Sequence, residues 1–357
     1  MRVVTSLECA KCKSYVCRAG RADAAPDDCP MLGDFPDHLE LYASDSDRSV
    51  AYHSAVIEAA GYCRWTRLRE VVEYSRRMGY RRIGVACCPD MWREALLTAV
   101  YLKDQLLDAR LPPERLECDP QGQAQLFARL ETELNVVVGM CVGHEAIFIR
   151  AARAPVTCLV ARDERFRHNP VAALYTAQSY SRSALHGRFD DRERSPFKGC
   201  DSKTLSRVSD DLLPDKHDRW SRVVELMEVA HRLGAAHLGV SFCVGLRDEA
   251  RVLIRILEGN GFRVSSVCCK AGAVPKETLG IEEHCKVRPG QPEMICNPLA
   301  QAELLNREGV QFALSLGQCV GHDSATLSRL KCPAVCVVAK DRVLAHNTVA
   351  ALYQLED

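Results

Sequence analysis

No apolar run in this 357-residue chain reaches the roughly 18 residues of a membrane-spanning helix. Charge of either sign in excess is also missing: 47 lysines and arginines balance 47 aspartates and glutamates. Bulk charge therefore gives no reason for binding nucleic acid or an anionic membrane, and neither partner is expected. Dinucleotide-binding GxGxxG, Walker A and Gly-x-Ser-x-Gly patterns do not occur in a usable context, so the chemistries they support have no basis here. The opening Met1-Arg2-Val3-Val4-Thr5 runs into cysteines without the apolar stretch of a secretory signal. The expectation is a cytoplasmic protein.

Cysteine, by contrast, is abundant, at 19 residues. In a reducing compartment such thiols are metal ligands, catalytic groups or buried filler before they are disulfides. Four of them, Cys9, Cys12, Cys17 and Cys29, fall within a glycine- and proline-flanked segment that has no apolar pattern to make a core. Four thiolates on zinc would order such a segment. An iron–sulfur cluster uses the same ligands, although the spacing matches neither ferredoxin pattern.

The chain is also an internal duplication. Cys141-Val142-Gly143-His144 recurs as Cys319-Val320-Gly321-His322, each after an apolar run and before an acid. Arg64-Trp65-Thr66 matches Arg219-Trp220-Ser221, and Cys88 matches Cys243, at an offset of 155 residues. Cys118-Asp119-Pro120 matches Cys296-Asn297-Pro298 at an offset of 178, so the second copy carries about 23 additional residues in its middle. Those residues hold Cys268-Cys269-Lys270, which the first copy lacks.

Helical periodicity covers 50–78, 91–108, 218–233, 246–258 and 298–308. Short apolar strands start near Ile83, Val136, Val156, Leu238, Val264, Phe312 and Val335, with Glu293–Cys296 as a further short strand. Alternation of this kind predicts an α/β protein: two tandem Rossmann-like, doubly wound parallel-sheet domains behind a Cys-rich amino-terminal segment. The expected division is 1–36 Cys-rich segment, 37–180 first and reduced copy, 181–217 mobile polar linker, and 218–357 second and complete copy.

Ligands of doubly wound sheets bind outside the carboxyl ends of the strands. In the second copy Cys243, Cys268, Cys269, Cys296, Cys319 and His322 all follow strands, and His346 lies in the loop after the last one. They are expected to converge on one crevice as metal ligands, with Cys88, Cys118, Cys141, His144 and His168 as the weaker counterparts in the first copy. Cys158, Cys336, Cys63, Cys285 and Cys332 are expected to be buried filler. Asn169 and Asn347 read as helix caps.

These motifs resemble the DUF1847 family of bacterial and archaeal proteins, often labelled metal-binding. The resemblance rests on Leu238–Leu246, Val267–Gly272, Cys296–Ala302, Cys319–Asp323 and Lys340–Asn347, strongly over 218–357 and more weakly over 1–180. It implies the same fold and a Cys/His site, and little about chemistry. Cys87-Cys88-Pro89-Asp90 departs from the family's Phe-Cys-x-Gly-Leu, which the second copy keeps. Three readings follow. The leading one is a metal-binding protein holding zinc or an iron–sulfur cluster. The second is a thiol-based redox or transfer enzyme acting on a small molecule, with Cys319 as nucleophile and His322 lowering its pKa. The third is a non-catalytic scaffold with buried thiols. Oligomeric state is not readable.

Overall fold

Residues 7–32, 35–114, 118–185, 201–216 and 219–355 are described by a computed structural model. Residues 186–200, with Cys200, lie outside the described residues. Each copy forms a four-stranded, all-parallel sheet. In the first, β1 (Arg82–Cys87), β2 (Asp108–Arg110), β3 (Leu134–Val138) and β4 (Val156–Val160) stand in the order β2-β1-β3-β4. In the second, β5 (His237–Phe242), β6 (Arg263–Cys268), β7 (Phe312–Leu316) and β8 (Ala334–Val338) stand in the order β6-β5-β7-β8. Strand order reverses between β1 and β3 and between β5 and β7, so each sheet has its switch point at the end of its first strand.

The helices are α1 (Asp45–Gly61), α2 (Arg67–Met78), α3 (Trp92–Asp104), α4 (Pro120–Arg129) and α5 (Val142–Ala151), then α6 (Ser202–Lys216), α7 (Arg222–Arg232), α8 (Arg247–Glu258), α9 (Pro298–Arg307) and α10 (Val320–Arg329). The helix expected over 50–78 is two helices. Gly61 ends α1 under the Trp65 ring, and the Thr66 hydroxyl caps α2 by accepting from the Arg69 N–H. The helix expected over 91–108 stops at Asp104, and β2 follows it as an edge strand too short and polar to stand out by alternation. Glu293–Cys296 makes one antiparallel bridge, Met294 to Pro275, rather than a strand.

The segment 181–217, expected as a mobile linker, carries α6, with Leu205, Val208 and Leu212 fully buried. Its Ser209 stands 155 residues after Ser54 of α1, the same offset as Cys88 to Cys243, so α6 is the second copy's α1. Removing the Leu205 side chain should therefore cost about 2–5 kcal/mol in denaturant unfolding of Leu205→Ala. A loss below about 0.5 kcal/mol would mean that α6 is only loosely attached.

The copies interlock about a pseudo-twofold axis. Helix α5 packs on β8 of the other copy, and α10 packs on β4. A Cβ on Gly143 would meet Ser209 Oγ at 1.7 Å, and one on Gly321 would meet Ser54 Oγ at 2.0 Å. The glycine of each Cys-Val-Gly-His motif thus serves helix crossing between copies. Arg67 and Arg222, both fully buried, reach across in the same way. Arg67 Nη2 lies 3.0 Å from Asp323 Oδ2, and its amide donates to Asp341. Arg222 Nη2 lies 2.6 Å from Glu145 Oε2, and its amide donates to Asp163. Cys158 and Cys336 meet at the axis beside Ala161 and Ala339, buried as expected.

Candidate functional site

The amino-terminal segment lies along β6. Ser266 donates its N–H to the Leu7 carbonyl, and its hydroxyl accepts from the Ala10 N–H at 3.1 Å. This covers the free edge of the second sheet and brings the segment's short 3-10 turns to the carboxyl end of β6. Cys9, Cys12, Cys17, Cys29 and Cys268 then line one small cavity of about 30 Å³, closed by Tyr15, Val16, Pro26, Pro30 and Met31. Burial pushes the thiols of Cys9 and Cys29 up. Cys17 is pushed up by its hydrogen bond to Cys268, with burial adding to the effect. Without metal these thiols hold protons, which metal binding would release.

From Cys268 the sulfur groups continue inward. Cys269 contacts Cys243, Cys268 and Cys296, and Cys296 contacts His322, which also reaches Cys319. Cys243 and Cys319 flank the switch point, with the Cys243 N–H donating to the Leu316 carbonyl. Cys319 is the N-cap residue of α10, and Asn297 caps α9 by accepting from the Ala300 N–H. Lys340 Nζ lies 2.7 Å from Cys243 Sγ and 3.9 Å from Cys319 Sγ, and Arg342 Nη2 lies 3.5 Å from Cys319 Sγ. The Cys269 hydrogen bond, with Lys340 behind it, holds Cys243 down at about 5 against burial. Burial works against charge on His322, but the Cys296 thiolate, with the neighbouring Cys319 sulfur, raises it to about 10. His346 lines the same crevice. Burial, helped by Lys340 and Arg342, holds it at about 4, so it stays a neutral imidazole.

The first copy contributes to this crevice. Arg342 is held by Glu58 of α1 at 2.6 Å and Glu70 of α2 at 3.3 Å, and Tyr42 donates to Asn297 Oδ1 at 2.9 Å. Glu58 and Glu70 escaped the reading of the sequence, and Lys340 and Arg342 entered it only as part of the family stretch Lys340–Asn347, not as partners of the thiols. The usable signal was the repeat itself, which sets Arg162 against Lys340 after the last strand of each copy.

The first copy has a smaller constellation of its own. Cys118 Sγ lies 2.9 Å from His144 Nδ1, and Arg162 Nη1 lies 2.7 Å from Cys88 Sγ. A hydrogen bond from Cys118, with Arg162 behind it, holds Cys88 at about 6 against burial. Cys141 is the buried N-cap residue of α5. His168 sits at φ +62, as His346 sits at φ +67, in matching left-handed turns. Metal-free protein should therefore keep a Cys88 thiolate reactive to iodoacetamide well below the ordinary thiol range. Arg162→Met should move its pH profile upward, and an unmoved profile would remove Arg162 from the account.

Cys285 is buried as expected, Cys332 is half-buried, and Cys63 is exposed rather than buried, on the turn after α1 at φ +54. Among the described residues, the one trio of ligand atoms lying within 4.8 Å of one another is Glu282, His284 and Cys285. Neither thiol group above has that spacing. A zinc ion holds its thiolates about 2.3 Å away, hence close together. A cluster that interposes its own iron and sulfide holds them further apart around a volume, and the amino-terminal thiols surround a cavity.

A profile described as protein of unknown function (DUF1847) matches residues 33–111, 110–159 and 189–337. An uncharacterised protein of Methanocaldococcus jannaschii is 34% identical over 157 residues, 44% of this chain and 79% of that protein. Among solved structures, Dph2 from Pyrococcus horikoshii with a 4Fe-4S cluster is 11% identical at a TM-score of 0.24, covering 82% of this chain and 91% of that one. The ornithine carbamoyltransferase of Burkholderia thailandensis is 12% identical at a TM-score of 0.24, covering 87% and 95%. Likenesses at that level carry no argument about chemistry. No helix among the described residues is long and apolar enough to cross a membrane.

Proposed function

We propose, from the premise that the chain belongs to the DUF1847 family of proteins of unknown function, that it is an iron–sulfur protein of a reducing, cytoplasmic compartment. Cys9, Cys12, Cys17 and Cys29 are the ligands. The observation that carries this reading is that those four thiols and Cys268 line one cavity while no three of their sulfurs lie within 4.8 Å of one another, a looser spacing than thiolates on a single zinc ion would have. A cluster there would supply one-electron storage. Cys268 lies against that cavity and joins it to the thiols of the crevice. Lys340 balances the charge of Cys243, Arg342 lies against the Cys319 sulfur, and His322 pairs with Cys296. The crevice thiols form a chain of contacts rather than a cage, so a resident zinc ion is not part of the reading. The test is iron, zinc and acid-labile sulfide content after anaerobic purification. Iron and sulfide in comparable amounts are expected, and protein free of both would defeat the reading.

A second reading, a thiol-based transfer enzyme, is favoured by one observation. Cys243, held as thiolate, lines an open pocket, whereas Cys319 does not. In that reading Cys243 is the nucleophile. Alkylation of Cys243 alongside Cys88 in metal-free protein at neutral pH supports it, and reactivity confined to Cys88 and to exposed thiols such as Cys63 removes it.

A further inference from the structure

The crevice opens to solvent through a pocket of about 390 Å³, at the small end of the range for ligand sites. Five of its lining residues are basic: Arg18, Lys270, Arg288, Lys340 and Arg342. Its two carboxylates are already answered. Glu58 is paired with Arg342 at 2.6 Å, and Glu293 with Lys276, outside the pocket, at 2.7 Å. The ammonium of Lys270 donates to the Met294 carbonyl at 2.7 Å and lies against Cys296, while that of Lys340 lies against Cys243. Arg18 and Arg288 are exposed at the rim, and among the described residues neither guanidinium has an ion-pair partner. Protein with zero net charge has gathered unanswered positive charge at one opening. A concave, low-dielectric wall focuses that field on a ligand of opposite sign.

We propose that this pocket binds a small, multiply charged oxyanion, a phosphate or a dicarboxylate, with one end at the guanidinium groups of Arg18 and Arg288 and its body directed toward the ammonium of Lys270. Guanidinium suits either anion because its parallel N–H groups match two oxygens at once. The assignment deepens the proposed function by naming the ligand class of the crevice, and it rests on that reading only in sharing the pocket that Cys243 lines. The basic rim exists whether or not the thiols hold metal.

The test is calorimetric titration of the anaerobically purified full chain at low salt, with inorganic phosphate in one arm and malonate in the other. Iron and sulfide are measured on the same samples. One of the two anions should bind with unit stoichiometry. An Arg18→Ala/Arg288→Ala double variant should bind it about tenfold more weakly or worse, with unchanged metal content and circular dichroism. An Arg288→Glu variant should weaken binding more than Arg288→Ala alone, because it reverses the charge rather than removing it. Binding of neither anion, or equal binding by wild type and both variants, overturns the proposal. Loss of metal from the wild type with anion binding intact would defeat the proposed function and leave this inference standing. Because both arginines are exposed, their replacement leaves the core untouched.

Discussion

Arg222→Met is expected to lower the free energy of unfolding by about 3–5 kcal/mol. Arg222 and Glu145 are both fully buried and come from different copies. Removing the guanidinium leaves a carboxylate in the interior with no cation beside it. It also strips donors from the carbonyls of Cys336, Met140 and Arg162. Pairing the change with Glu145→Gln should recover part of the loss, since glutamine carries no charge and still accepts from the Cys336 N–H, now at 2.7 Å. Arg67→Met should behave alike, because Arg67 meets Asp323 in the mirrored position. Urea unfolding measures all three. A loss under about 1 kcal/mol for either arginine would show that these crossings do not lock the copies together.

The second large effect is expected in the amino-terminal segment. Within 7–32 only Leu7, Ala10, Tyr15, Val16 and Pro30 are buried, too little apolar surface to fix the segment by itself. Its order then depends on what its thiols bind. A Cys12→Ala/Cys29→Ala double variant should lose its iron and sulfide and be cut within this segment at least about tenfold faster by protease, while both sheets survive. Cleavage at the wild-type rate would mean that contacts with β6 alone hold the segment.

How far the sequence foretold this molecule depended on whether the signal was local. Strand identity was legible because fully buried parallel strands, such as Leu134–Val138 and Ala334–Val338, read as short apolar runs. The repeat located the strand-end thiols, and parallel topology gathered them, so Cys243, Cys269, Cys296, Cys319 and His322 could be grouped in advance. What stayed hidden was contact between copies. Leu205, Val208 and Leu212 of helix α6 do stand at helical spacing, but the stripe is short and follows a long charged stretch, and only the packing against α5 shows it to be core. Glu58 and Glu70 look like ordinary helix-surface acids until α1 and α2 are laid against the second copy. Gly143 and Gly321 read as part of a ligand motif, whereas Ser209 and Ser54 show them to be points of helix approach. The link from Cys17 to Cys268 was equally out of reach, because it depends on the amino-terminal segment running beside β6.

Anomalous X-ray scattering from crystals of the anaerobically purified protein, collected on either side of the iron and zinc edges, tests the central claim most directly. The account predicts iron density enclosed by Cys9, Cys12, Cys17 and Cys29, beside Cys268. A lone zinc peak at that position, or four sulfurs with no metal between them, would contradict it.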